Sequence, residues 1–164
     1  MRKYLVALAA SAILAVVVAQ PAAAAEPVRE DFTRDGTAVL TGVCSFPVTV
    51  EFTQTGTDTL FFAQDGTLKR VKGHVVEQDV FTANGKTLVG LPYTFNVRVL
   101  FDSETGDVTN VFASGVISRV PLAGGDLFLT AGRLDFAAHG SSFLVQPDVG
   151  AQGNVEGFCE ALSP

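Results

Sequence analysis

Two runs in this chain alternate apolar and polar residues with a period of two. Phe46, Val48, Val50 and Phe52 are interleaved with Pro47, Thr49, Glu51 and Thr53, and Tyr93, Phe95, Val97, Val99 and Phe101 with Thr94, Asn96 and Arg98. Successive side chains of a strand point to opposite faces, so each run reads as a strand with one buried and one wet face. A third run places Phe128, Leu134 and Phe136 on one face around Thr130 and Gly132, with Arg133 and Asp135 opposite. Beyond residue 25 no segment sustains a helical period, and Thr, Val and Phe dominate where a helix favours Ala, Glu and Lys. The fold class expected is all-β.

The turn residues argue for antiparallel neighbours. Asp65-Gly66 and Asn84-Gly85 are dipeptides that accept positive φ and suit two-residue hairpins. Glu104-Thr105-Gly106-Asp107 reads as a longer hairpin, and Thr55-Gly56 and Gly124-Gly125 as further turns. Candidate strands fall near 38–44, 46–54, 58–63, 67–82, 86–91, 93–102, 107–119, 126–137, 142–146 and 155–160, with Gly73, Gly115 and Gly132 placed for bulges or bends. Roughly 8–10 strands joined by short turns make an antiparallel up-and-down β-barrel, with a β-sandwich as the alternative. The whole of 37–164 forms one domain. Residues 26–36, with Glu26, Arg29, Glu30, Asp31, Arg34 and Asp35 and little to bury, read as a mobile N-terminal arm.

Residues 1–25 have the layout of a secretory signal peptide: Arg2 and Lys3, then a run from Tyr4 to Val18 almost without polar atoms, then Ala23-Ala24-Ala25 ahead of Glu26. The apolar run is about 15 residues, short of the ~20 that cross a bilayer. Cleavage between Ala25 and Glu26 and release outside the cell are expected, with no membrane span afterwards. The cut removes Arg2 and Lys3 and spares all 17 acids, so the net charge deepens from −6 to −8. An acidic surface excludes nucleic acid as a partner, because phosphates require clustered Lys and Arg. Lys69, Arg70 and Lys72 are the one basic cluster.

The two cysteines, Cys44 and Cys159, read as a disulfide in an oxidising compartment, with two free buried thiols as the alternative. In a barrel this bridge would fasten the last strand to the first. No metal or other cofactor is expected: His74 and His139 stand at no ligand-like spacing to the cysteines. No G-x-S-x-G elbow occurs, and Gly140-Ser141-Ser142-Phe143 lacks its second glycine. The acids offer many pairs from which spacing selects none, so no catalytic residue is named. Arg98, Arg133 and Asp135 are the candidate ligand-binding groups. They lie on strands expected to be close in space, either as an outward salt-bridge ladder or as polar groups inside a barrel lumen.

Cys44 followed by Phe46-Pro47-Val48-Thr49-Val50, the glycine-punctuated β region, and the closing Phe158-Cys159-Glu160-Ala161-Leu162 resemble a group of small exported all-β proteins of high-GC Gram-positive bacteria. The resemblance covers about residues 38–162. It implies export, paired cysteines and a β fold, and carries over no catalytic residue. The strand after Asn84-Gly85 departs from the regular alternation of that group.

The function expected is a secreted, non-enzymatic module binding a small apolar molecule or a cell-envelope component, on the strength of 13 Phe and a closed barrel. The alternatives are an isomerase or cyclase-like enzyme in a barrel lumen, architecturally like the allene oxide cyclase and dirigent barrels, and a structural or adhesive surface protein.

Overall fold

The alternating runs are strands, and the first of them continues well past Thr55-Gly56. The computed structural model of the protein describes residues 26–139 and 145–164. Residues 1–25, expected to be a signal peptide ending at Ala25, and most of the candidate strand 142–146 lie outside the described residues. Eight strands make one antiparallel sheet: β1 (Val28–Leu40), β2 (Val48–Phe62), β3 (Leu68–Ala83), β4 (Lys86–Val89), β5 (Tyr93–Phe101), β6 (Val108–Pro121), β7 (Leu127–Asp135) and β8 (Val149–Ala151). One helix, α1 (Val155–Leu162), follows. The order β1-β2-β3-β5-β6-β7-β8 is a meander. β4 pairs with Val80–Ala83 of β3, beyond the stretch Arg70–Glu77 that β5 covers. β4 and β5 are thus one interrupted partner of β3. At the interruption the Gly90 N–H donates to the Asp79 carbonyl and the Leu91 N–H to the Arg119 carbonyl, both at 2.8 Å, tying β3 to β6.

Asn84 and Gly85 both take positive φ, 52° and 75°, as the two-residue turn requires. Asp65-Gly66 belongs to a longer loop: the Ala63 N–H donates to the Thr67 carbonyl, Gly66 takes φ 84°, and the Asp65 carboxylate accepts from the Thr67 N–H. Thr55-Gly56 is no turn but the middle of β2. A side chain on Gly56 would run into the His74 carbonyl and the Phe32 ring.

Two further expectations are corrected. Residues 28–36, read as part of a mobile arm, are the first part of β1 and pair in register with residues 52–60 of β2. This strand buries little, which hid it. It is held by its backbone ladder and by two aromatic rings, Phe32 lying over Gly56 and Phe52 over Gly36 on the opposite strand. Residues 155–160 are helix, not strand. Asn154 caps α1 by accepting from the Gly157 N–H at 2.9 Å. Val155, Phe158, Cys159 and Leu162 follow at i, i+3, i+4 and i+7, the spacing of one helical face; Phe158 and Leu162 are buried in the core, and Val155 and Cys159 pack against it.

The disulfide Cys44–Cys159 is present, with Cα atoms 5.5 Å apart. It joins the segment after β1 to α1 rather than one strand to another. Among the described residues no ladder connects β1 to β8, so the sheet is not closed by hydrogen bonds. It is nevertheless folded round, because Leu40 of β1 and Phe128 of β7 share a core with Val50, Phe81 and Val120. Helix α1 covers that core. Phe158 stacks on Phe128 with ring centres 4.6 Å apart and meets Phe81 edge-on at 5.2 Å, arrangements that suit the ring quadrupoles. This packed end is the floor of the molecule.

Candidate functional site: a cavity above a buried carboxyl pair

Away from the floor the same inner face is filled only in part: Ala113, Ile117 and Leu134 pack with Phe95 and Phe136, and beside them space is left open. A cavity of about 500 Å³ is bordered by β1, β2, β3, β5, β6 and β7. Its walls are largely apolar, with Val75, Phe95, Val97, Val111, Ala113 and Leu134 among them, and Gln54, Glu77 and Tyr93 add polar groups. A pocket of this size and lining is the usual form of a small-molecule site.

The polar groups come from the period of β3. Val75, Glu77, Asp79 and Phe81 alternate onto the inner face, and all four are buried, while His74, Val76 and Gln78 are outside. Two acids therefore occupy core positions, Glu77 at 4% exposure and Asp79 at 0%. Tyr93, the first residue of β5, is paired with Glu77 in the sheet register. Its hydroxyl oxygen lies 2.8 Å from Asp79 Oδ2 and also contacts Glu77 Oε1. Gln54 Nε2 on β2 donates to Glu77 Oε2.

Proton counting fixes the state of this group. The phenol has one proton and touches two carboxyls, and a carboxylate can only accept. One carboxyl must therefore be protonated. Burial, and after it the charge of Glu77, push the Asp79 carboxyl up to about 8. Asp79 thus holds the proton at neutral pH and donates to the Tyr93 oxygen, while the Tyr93 hydroxyl donates to Glu77. Burial first, and then Asp79 and Glu77, also raise the Tyr93 phenol, so it remains a donor. The result is a chain Asp79–Tyr93–Glu77 carrying one negative charge, with Gln54 supplying a further donor. Asp79 Oδ1, Ser118 Oγ and Thr130 Oγ1 are buried without a hydrogen-bond partner, an exposed cost in a folded interior.

Arg34 is the cation of the cavity lining. Its guanidinium lies 3.9 Å above the Phe32 ring and donates to Asp58 Oδ2 at 2.6 Å. With its side chain 53% exposed, it sits toward solvent and is already paired.

Arg98, Arg133 and Asp135 are brought together, but on the outer face. The register places Arg98, Phe112 and Asp135 in one row across β5, β6 and β7. Arg133 stacks over the Phe112 ring at 4.8 Å, and Asp135 accepts from the Ala137 N–H. Arg98, Arg133 and Lys72 border a groove of about 490 Å³ on that side. The lumen position considered for the three belongs instead to Gln54, Glu77 and Tyr93, which sequence reasoning missed. The signal was available: Glu77 and Asp79 stand between Val75 and Phe81 in strict alternation. His74 is also on the outer face, with Nδ1 3.1 Å from Asn96 Oδ1.

Among the described residues no group of three or more His, Cys, Asp and Glu is arranged to hold a metal ion, and no helix is long and apolar enough to cross a membrane. No protein-family model, curated protein or solved structure matches the chain.

Proposed function

We propose that this is an exported protein whose curved sheet serves as a barrel-like cup and binds a small apolar molecule. The observation that carries the reading is the cavity of about 500 Å³ on the inner face, walled by Val75, Phe95, Val97, Ala113 and Leu134. A sheet that only needed a core would fill this space with its own side chains, as small barrels do. Here one end is plugged by Phe81, Phe128 and Phe158 while the other is open. The bridge between Cys44 and Cys159 suits an oxidising compartment outside the cytoplasm.

Native mass spectrometry of protein purified from its own culture medium tests both parts. The expected result is a chain starting at Glu26, carrying a small apolar molecule that organic solvent removes. A chain that retains residues 1–25, or one that binds neither a native ligand nor added apolar probes, contradicts the proposal.

A second reading, an isomerase or cyclase working in the same cup, is favoured by one observation: Asp79 is linked by hydrogen bonds through Tyr93 to Glu77, and Tyr93 and Glu77 line the cavity. Such a chain can give and take a proton without a metal. Extract from the native host, incubated with the protein, would then yield a product that the Glu77→Gln variant does not form.

A further inference from the structure

We infer that the cup is selective for ligands whose polar end donates hydrogen bonds, above all a primary ammonium and then a hydroxyl, and that it rejects carboxylates. The inference rests on the cup being a ligand site and concerns which end-group it takes.

The donors closest to Glu77 are turned onto it, and the cation of the lining is engaged at the solvent side. Gln54 Nε2 and the Tyr93 hydroxyl both donate to Glu77, and the Asp79 proton goes to the Tyr93 oxygen by the proton count above. The Arg34 guanidinium donates to Asp58 and lies flat on Phe32. Gln54 keeps one further N–H, and Arg34 keeps others beside Phe32 and solvent, but around the buried carboxyl pair acceptor capacity dominates. Each Glu77 oxygen has a lone pair beyond the one already used. Deeper in the same layer Asp79 Oδ1 is fully buried and has no donor. Glu77 is 4% exposed yet borders the cavity, so a molecule seated there would meet its oxygens in place of water.

Charge points the same way. The carboxyl pair carries one negative charge in a largely apolar surrounding, where Coulomb forces are screened less than in water. A ligand ammonium would form a charge-assisted hydrogen bond to Glu77. A hydroxyl would form a neutral-donor bond. A carboxylate would bring like charge against Glu77 and could enter only by taking a proton. The acidic surface of the chain, −6 in net charge, also favours the approach of cations.

Three probes with the same tail separate the contributions: decan-1-amine, decan-1-ol and decanoate, titrated at neutral pH below their micelle concentrations and followed by calorimetry. The expected order is amine, alcohol, carboxylate, with about 10-fold or more between amine and carboxylate. In Glu77→Gln the amine should fall to the affinity of the alcohol. Decanoate binding as tightly as the amine, with the alcohol also bound, would overturn the selectivity while leaving the cup as a binding site. Failure of all three to bind would remove the cup itself as a site. Should Glu77→Gln not fold, the order of the three probes on the natural protein decides the matter alone.

Discussion

The two ends of the inner face are built from the same strands and differ in how they are filled. At the floor, Leu40, Val50, Phe81, Val120 and Phe128 meet Phe158 and Leu162 from α1 with almost no exposure. Above it, the next inward residues of β3 are Asp79 and Glu77, and above them the strands enclose open space. Hydrophobic burial explains the first region completely. The second contradicts it, since two acids at core positions and an unfilled cavity both cost stability. The lesson is a division of labour: the floor holds the sheet in its curve, and that curve allows the upper layer, packed only around Ala113, Ile117 and Leu134, to keep an open and chemically useful space.

The largest expected effect tests the floor. Phe158→Ala removes a ring that contacts both Phe81 and Phe128 and should destabilise the protein by about 3–5 kcal/mol, measured by urea unfolding. A loss below about 1 kcal/mol would mean that α1 is not what holds the curve. Replacing both bridge cysteines, Cys44→Ser with Cys159→Ser, opens a link between residues 115 apart and should cost about 2–4 kcal/mol.

The upper layer is tested by pH. Burial pushes the Asp79 carboxyl from its ordinary value of 3.8 up to about 8 in the fold. Between these values the folded state binds a proton that the unfolded state has released, so stability falls as pH rises. The slope is at most about 1.4 kcal/mol per pH unit, and it levels off above about pH 8. Asp79→Asn can still donate to Tyr93 and carries no charge, so it should flatten the decline. The variant should gain on the natural protein steadily from pH 4 to pH 8 in parallel urea titrations. Parallel curves would mean that Asp79 is not protonated in the fold.

A smaller effect separates stability from binding. Val111→Phe extends a half-buried side chain that borders the cavity and belongs to neither packed cluster. It should change stability by under about 1 kcal/mol, because the added ring atoms enter open space rather than a packed core. It should weaken binding of decan-1-ol by about 10-fold or more. Arg98→Ala, on the exposed outer face, should alter stability by no more than about 0.5 kcal/mol and leave that binding unchanged.

The strands were legible because their faces differ in polarity. β5 from Tyr93 to Val99 and the start of β2 show it residue by residue, and Asn84-Gly85 marks its turn. β1 was not, because a strand held by its backbone ladder and by rings lying over Gly36 and Gly56 leaves little apolar pattern. α1 was not, because eight residues give the helical period only two turns, although Asn154 and the spacing of Val155, Phe158, Cys159 and Leu162 carry it. The site was half legible. Alternation assigns Glu77 and Asp79 to the core face, but their link to Gln54 and Tyr93 exists only once β2, β3 and β5 lie side by side. Arg98, Arg133 and Asp135 were correctly grouped, and only the direction of the sheet's curvature decides that they face outward.

The contrast between a filled floor and an open cup is tested most directly by methyl NMR of the chain from Glu26 onward titrated with decan-1-ol. The methyl signals of Val75, Val111 and Leu134, which border the cavity, should shift in a saturable manner, while those of Val50, Val120 and Leu162 in the floor stay in place. Shifts confined to the floor or spread over the outer face, or none at all at the solubility limit of the alcohol, would contradict the assignment of the cavity as a ligand site.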